Sequence, residues 1–506
     1  MKRSTGVLMS ISSLPSPYGI GCFDRAAYEF VDFLSAAGQR FWQILPLGAT
    51  GYGDSPYQSF STFAGNPYFI DLDALVGEGL ITRDACERVG LNQDSSRVVY
   101  SHQYIRRMPL LREAHRNSKH KQDPAYRAFC ESNPWLEDYA LFMAIKDAHG
   151  GAPLTEWESD IRRREPAAMA DYLSRLSDDM DFYRFIQYVF DLQWKNLKAY
   201  ANRKGIFIIG DIPIYVSLDS ADVWANPQLF QLDGELLPRA VAGCPPDGFS
   251  PDGQLWGNPL YDWQAHAEHG YGWWRRRIAH CLKLYDVVRI DHFRGFDEYY
   301  AIPYGQTTAH GGWWERGPGM ELFSAMRDLL TSHGGEDIPP VIAEDLGFMT
   351  PSVRALVRDS GFPGMRVLQF GFDGRDSGGN SDNEHLPHNY PIDCVAYTGT
   401  HDNQTLTSWY YTVTDRERDA VRGYLGDAYP PDEPPVRRLI AALMKSHAQL
   451  CIVPMQDWLG LDDSARMNTP ATVGHNWVWR MEKGALTPDL AEEMRQMALA
   501  FSRNVS

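Results

Sequence analysis

Three short apolar runs in this chain each end in an acidic residue: Val287-Val288-Arg289-Ile290-Asp291, Val341-Ile342-Ala343-Glu344, and the stretch from Val395 to Asp402. β-Branched residues followed by a polar stop read as buried parallel strands. In a (β/α)8 barrel the strand ends are where catalytic groups sit, so these carboxylates would meet in one pocket. Any one of them alone could equally cap the next helix. Three in series, two of them beside Arg or His, favour the shared pocket.

The remaining pattern alternates in the same way. Strand-like runs at Gly6 to Ile11 and Phe41 to Leu47 flank a helix-periodic segment from Arg25 to Ala37 that stops at Gly38, which makes a βαβ unit. Further strands are expected at Ile206 to Asp211, Val287 to Asp291, 341–344, 365–370, 394–398 and Cys451 to Pro454, with helices between them. That is about eight strands, as a closed barrel requires. The fold class is therefore α/β: one catalytic (β/α)8 TIM barrel over 1–506 with large inserted subdomains. No C-terminal β-sandwich is expected, since too few residues follow Cys451. The alternation breaks at about 55–180, read as a mostly helical insertion, at about 213–268, read as a loop-rich substrate-binding insertion, and at about 292–318, read as a loop.

A formal charge of −17 argues against a nucleic-acid partner, because neutralising phosphates needs clustered Lys and Arg. No apolar run approaches the roughly 18 residues of a membrane-spanning helix. The seven cysteines show no metal-ligand spacing and read as thiols in a reducing cytoplasm, and the first residues lack a signal-peptide core. With 15 Trp and 26 Tyr the chain is well supplied with flat, half-polar rings of the kind that stack on sugars, although most would pack the core.

Paired carboxylates commonly break glycosidic bonds, one attacking the anomeric carbon and the other protonating the departing oxygen. The two roles need different surroundings. Arg289, two residues before Asp291 on the same strand face, could keep that carboxylate ionised, or could serve a purely structural ion pair. Glu344 follows an apolar strand, where burial favours the protonated form. His292 and His401 could be satisfied core histidines; His401, directly before Asp402, is the better candidate for a sugar hydroxyl.

At these residues the chain resembles the 4-α-glucanotransferase (amylomaltase or disproportionating enzyme) family, glycoside hydrolase family 77 in the α-amylase superfamily. The resemblance runs over nearly the whole chain. It is carried by Ser12-Ser13-Leu14-Pro15, Gly53-Asp54-Ser55-Pro56-Tyr57, Gly210-Asp211-Ile212-Pro213, Pro245-Pro246-Asp247, Trp256-Gly257-Asn258-Pro259, Arg289 to Gly295, Ala343 to Gly347, Thr400-His401-Asp402-Asn403 and Arg466-Met467-Asn468-Thr469-Pro470. It implies that Asp291 is the nucleophile, Glu344 the acid/base and Asp402 the third carboxylate, binding hydroxyls of the transferred glucose unit. Arg289, His292, His401 and Asn468 would belong to the same site, and Tyr57 would stack on its sugar. Asp211 would either hydrogen-bond within the pocket or be structural. Asp247, Gln254, Trp256 and Asn258 would line a loop over the acceptor side, with core packing the alternative for Trp256. Where the family commonly has Pro-Gly after the late Arg-x-Asn, this chain has Pro470-Ala471.

The expected activity is retaining transfer of α-1,4-glucan segments from a maltooligosaccharide donor to the 4-hydroxyl of a glucan acceptor. Carboxylates suffice for this, so neither cofactor nor metal is expected. The expected partners are maltooligosaccharides and α-1,4-glucans, with no nucleic acid or membrane, for a cytoplasmic monomer or simple homo-oligomer. The alternatives are an α-1,4-glucan hydrolase on the same barrel and a non-catalytic glucan-binding protein.

Overall fold

The computed structural model describes residues 2–246, 252–333, 339–374, 381–426 and 433–503. Its described strands, in chain order, are β1 (Ser4–Leu8), β2 (Phe41–Gln43), β3 (Phe207–Pro213), β4 (Ala240–Cys244), β5 (Gln254–Pro259), β6 (Val287–Asp291), β7 (Glu298–Pro303), β8 (Trp313–Arg316), β9 (Val341–Ala343), β10 (Gly364–Val367), β11 (Cys394–Tyr397) and β12 (Leu450–Pro454). Eight of these form one sheet in the order β10-β11-β12-β1-β2-β3-β6-β9, which is chain order read around a ring. Every registered pair in it is parallel. The two ends of the sheet meet where the Ala343 N–H donates to the Pro363 carbonyl at 3.0 Å, so the sheet curls into a barrel.

Local sequence accounts for the barrel units. The helix Arg25–Ala36 starts where the Asp24 carboxylate accepts the Ala26 N–H, and it buries Phe30, Val31, Phe33 and Leu34 on one face. It stops at Gly38, whose φ of 65° is the left-handed conformation that glycine adopts without a Cβ penalty. Strands β1, β11 and β12 are buried along their whole length, as barrel strands covered by helices must be.

Between β2 and β3 the chain builds a set of helices, including Trp135–Ala148 and the long Ser177–Arg203. The long helix is pinned to the barrel at two points. The Trp194 indole donates to the Leu284 carbonyl at 3.0 Å, and the Asp286 carboxylate accepts the Asn202 amide at 2.9 Å and the Ile208 N–H at 2.7 Å. Among the described residues no helix is long and apolar enough to cross a membrane.

The stretches read as loop at 213–268 and 292–318 differ from that reading. They contribute β4, β5, β7 and β8, which form a four-stranded antiparallel sheet in the order β5-β4-β7-β8. Its central pairing joins Ala240 to Pro303 and Gly243 to Tyr300. These strands are short, interrupted by Gly and Pro, and irregular in register between Val241 and Gly243. Their stability comes from partners distant in sequence, so the local pattern carries little strand signal.

Gly210, on β3, shows how tightly the barrel meets its helices. A Cβ there would overlap the ring of Tyr285, a buried residue at the end of the Gly272–Leu284 helix, near the ring's attachment point where it cannot swing away. Gly210→Ala is expected to lower the unfolding free energy by about 1–3 kcal/mol. Urea unfolding of the two proteins checks this; equal midpoints would mean the helix shifts freely.

Candidate active site

Strand register sets the floor of the site. Asp211 on β3 and Arg289 on β6 are direct parallel partners, so their side chains leave the sheet on the same face. Arg289 Nη1 lies 2.8 and 2.7 Å from the two Asp211 oxygens, and its Nη2 lies 2.9 Å from Asp291 Oδ1. Its Nε–H points at Met365 Sδ, 3.3 Å away. Arg289 and Asp211 are fully enclosed, whereas the Asp291 side chain is 31% exposed. Burial works against the guanidinium's charge, but the Asp211 and Asp291 carboxylates outweigh it and hold Arg289 protonated. For Asp211 burial pushes the carboxyl up, with Arg289 opposing.

Glu344 stands at the end of β9, tied to the end of β6 by backbone bonds. Its N–H donates to the Ile290 carbonyl and its carbonyl accepts the Phe293 N–H, both at 3.1 Å. Its carboxyl accepts the His292 N–H at 2.6 Å and the Leu346 N–H at 3.0 Å. The first of these exists because His292 takes a left-handed conformation, φ 55° and ψ 47°, which a histidine rarely adopts. Burial, and then the charge of Asp291, push the Glu344 carboxyl up to about 8, against Arg289 and the two N–H donors. Burial likewise lowers His292 to about 3, so its ring is neutral. The ring meets Trp256 edge-on at 4.8 Å, and its Nε2 is buried with no hydrogen-bond partner among the described residues.

The loop after β11 brings the third carboxylate. Asp402 Oδ1 accepts the Asn468 amide at 2.6 Å and lies 3.4 Å from His401 Nε2. Arg466 holds this turn by donating to the Asp402 carbonyl at 2.6 Å and the Asn468 carbonyl at 2.8 Å. The Tyr57 hydroxyl donates to Asp211 Oδ2 at 2.9 Å and sits 3.1 Å from His401 Nδ1. With the tyrosine proton given to Asp211, the imidazole proton belongs on Nδ1. One face of the Tyr57 ring is stacked on His401 at 4.8 Å, with Trp477 tilted alongside at 5.6 Å.

Of these groups Tyr57, Asp291, His292, His401, Asp402 and Asn468 line a cleft of about 270 Å³ together with Gln254, Trp256 and Asn258, while Asp211, Arg289 and Glu344 lie behind that lining. Two of the lining residues turn inward to the framework. Asn258 donates to the Val216 carbonyl at 2.8 Å and accepts from Gln58 at 3.1 Å, and Gln254 Oε1 accepts the Trp256 indole N–H at 3.0 Å. Asp247 lies outside the described residues. Sequence reasoning passed over Gln58, Tyr215 and Trp477, which also line the cleft. Gln58 directly follows the Gly53 to Tyr57 motif and could have been read with it. Trp477 carried no signal, because its place beside His401, at 5.8 Å, depends on packing between distant segments.

Chemically, one carboxylate sits against a guanidinium while its neighbour holds a proton up to about 8. Such a divergence of two nearby acids is the arrangement that separates a nucleophile from a general acid.

The model of one protein family, described as 4-alpha-glucanotransferase, matches residues 9–487. A 4-alpha-glucanotransferase of Clostridium butyricum is 46% identical over 498 residues, 98% of this chain and 100% of that protein. One of Thermus thermophilus is 47% identical over 513 residues, 99% of each. Among solved structures, the amylomaltase of Streptococcus agalactiae in complex with acarbose superposes with a TM-score of 0.93 at 43% identity, covering 99% of this chain and 100% of that one.

Arg289→Met would leave Asp211 buried with only the Tyr57 hydroxyl. Removing one partner of a buried pair is expected to cost about 3–5 kcal/mol of unfolding free energy, and adding Asp211→Asn should recover part of it. Denaturant unfolding of the single and double variants measures both; strictly additive losses would show that the pair is not coupled.

Proposed function

Because this chain belongs to the 4-alpha-glucanotransferase family, we propose that its cleft moves α-1,4-glucan segments between chains by a retaining double displacement. The activity is that of the family, a transferase acting on glucans. The observation that carries the mechanism is Asp291 paired with Arg289 at 2.9 Å beside a Glu344 whose proton is held up to about 8.

In the first step Asp291 attacks C1 of the donor sugar as Glu344 gives its proton to the leaving glycosidic oxygen, releasing a shortened glucan and forming a glycosyl ester. In the second, the Glu344 carboxylate takes the proton of an acceptor 4-hydroxyl, which attacks C1 and frees Asp291. Asp402, held by Asn468, binds hydroxyls of the transferred unit together with His401. His292 packs edge-on against Trp256 at the wall of the cleft. Trp256 offers a ring to the acceptor side, where Gln254 and Asn258 fix its loop. Tyr57 positions Asp211 and His401, with its remaining edge toward the sugar. Arg289 and Asp211 act through Asp291.

The same reading makes the segments 55–180, 213–268 and 292–318 the walls that shape the substrate side of a single barrel. It makes the protein a cytoplasmic monomer or simple homo-oligomer. The steps are complete with carboxylates alone.

Incubation with maltotriose should give glucose together with chains longer than the substrate, and Asp291→Asn should abolish both. Glucose and maltose alone would instead make water the acceptor. Because Glu344 must carry its proton in the first step, kcat/KM for the donor should fall as pH rises through about 8. Glu344→Gln should lose about 10²–10⁴-fold in rate and with it this alkaline limb. An unchanged limb in that variant would assign the proton to another group.

A further inference from the structure

Away from the cleft, the helical segment between β2 and β3 buries a cluster the mechanism does not use. His115 closes the helix Met108–Asn117, His120 opens the short turn His120–Gln122, and Asp181 lies in the first turns of Ser177–Arg203. His115 Nε2 and His120 Nε2 converge on one oxygen, Asp181 Oδ2, at 2.7 and 3.0 Å. All three residues are buried, and the three donor atoms lie within 4.8 Å of one another.

We propose that His115, His120 and Asp181 form a binding site for a divalent transition-metal ion of the zinc class. Two imidazoles and one carboxylate are the donor set that such ions take, with a solvent molecule completing four-coordination. A tetrahedral ion with bonds of about 2.0–2.1 Å needs donors roughly 3.3 Å apart; the 2.7 and 3.0 Å contacts to Asp181 Oδ2 have to open by a few tenths of an ångström, and the two imidazole nitrogens, within 4.8 Å of each other, have to settle at the same spacing.

The supporting groups suit a metal as well. Tyr126 donates to the other carboxylate oxygen, Oδ1, at 3.0 Å, which orients Asp181 and leaves Oδ2 for the ion. The Ser118 hydroxyl lies 3.2 Å from His120 Nδ1. A hydroxyl can donate to that nitrogen while Nε2 carries the proton, and accept from it once Nε2 is bound to an ion. The rings of Tyr126 and Phe185, at 4.8 and 4.9 Å from the His120 ring, fix its plane.

Lys121 also reaches this oxygen, its ammonium 2.9 Å from Asp181 Oδ2 while its side chain is 63% exposed. Being exposed, it can swing into solvent and give way to an ion with a bound water. The ion would then clip together three chain segments that meet at Asp181, apart from the catalytic carboxylates.

The test uses the full chain, stripped with a chelator and titrated with zinc chloride by calorimetry, with cobalt(II) as a spectroscopic probe of coordination. One equivalent per chain is expected, with a visible cobalt spectrum of low coordination number and a higher melting temperature with zinc. His115→Gln and His120→Gln, which keep an amide donor toward Asp181, should each weaken binding about tenfold or more, and Lys121→Met should strengthen it. The rate of glucan transfer by folded protein should not change with zinc. Absence of saturable binding, or binding equal in wild type and both histidine variants, overturns the proposal and leaves the cluster as a hydrogen-bonded hub. Should a histidine variant fail to fold, the wild-type cobalt spectrum and the Lys121→Met titration decide it alone.

Discussion

The buried guanidinium of Arg289 is the constraint on which the barrel and its site both depend. Taking two charges out of water costs several kcal/mol per ion, offset only when geometry is good and the remaining donors are filled. Here one nitrogen serves both oxygens of Asp211, another reaches Asp291, and the third faces Met365. That geometry rests on the β3–β6 register, which places Asp211 opposite Arg289. A slip of one residue would turn one of them away from the other, so strand register and active-site charge are a single condition. From Asp211 the constraint passes through the Tyr57 hydroxyl to His401.

Asp291 and Glu344 are the same functional group placed in opposite surroundings. Asp291 has a cation at 2.9 Å and an open face on the cleft. Glu344 has burial and the neighbouring negative charge, only partly countered by two N–H donors. The left-handed His292 between them is what lets the chain leave β6 and immediately present an N–H to Glu344. Such a conformation costs of order 1–3 kcal/mol, and it persists because the surrounding hydrogen bonds fix it.

Much of this was legible because a barrel strand covered on both faces is a short, nearly continuous apolar run. Ile206 to Asp211, 287–291, 341–344 and 394–398 all carry that mark; of the acids at or just after them, Asp211 and Asp291 meet on Arg289, and Asp291 and Asp402 line the cleft. The antiparallel sheet was not legible, since β4 and β7 depend on each other across the barrel strand β6 rather than on local pattern. Asn258 lines the cleft while its amide spends hydrogen bonds on Val216 and Gln58, a pairing only packing can reveal. The His115, His120 and Asp181 cluster left no trace either. Its members are brought together by helix packing across separations of 66 and 61 residues.

What separates transfer from hydrolysis on this reading is small, because water and a sugar 4-hydroxyl present the same attacking atom to Glu344. A few kcal/mol between competing transition states decides the partition. The discrimination must therefore come from the rest of the acceptor sugar. An acceptor that covers the ring of Trp256 and fills the polar positions along the cleft gains contacts that a lone water cannot make, and it excludes other waters as it does so.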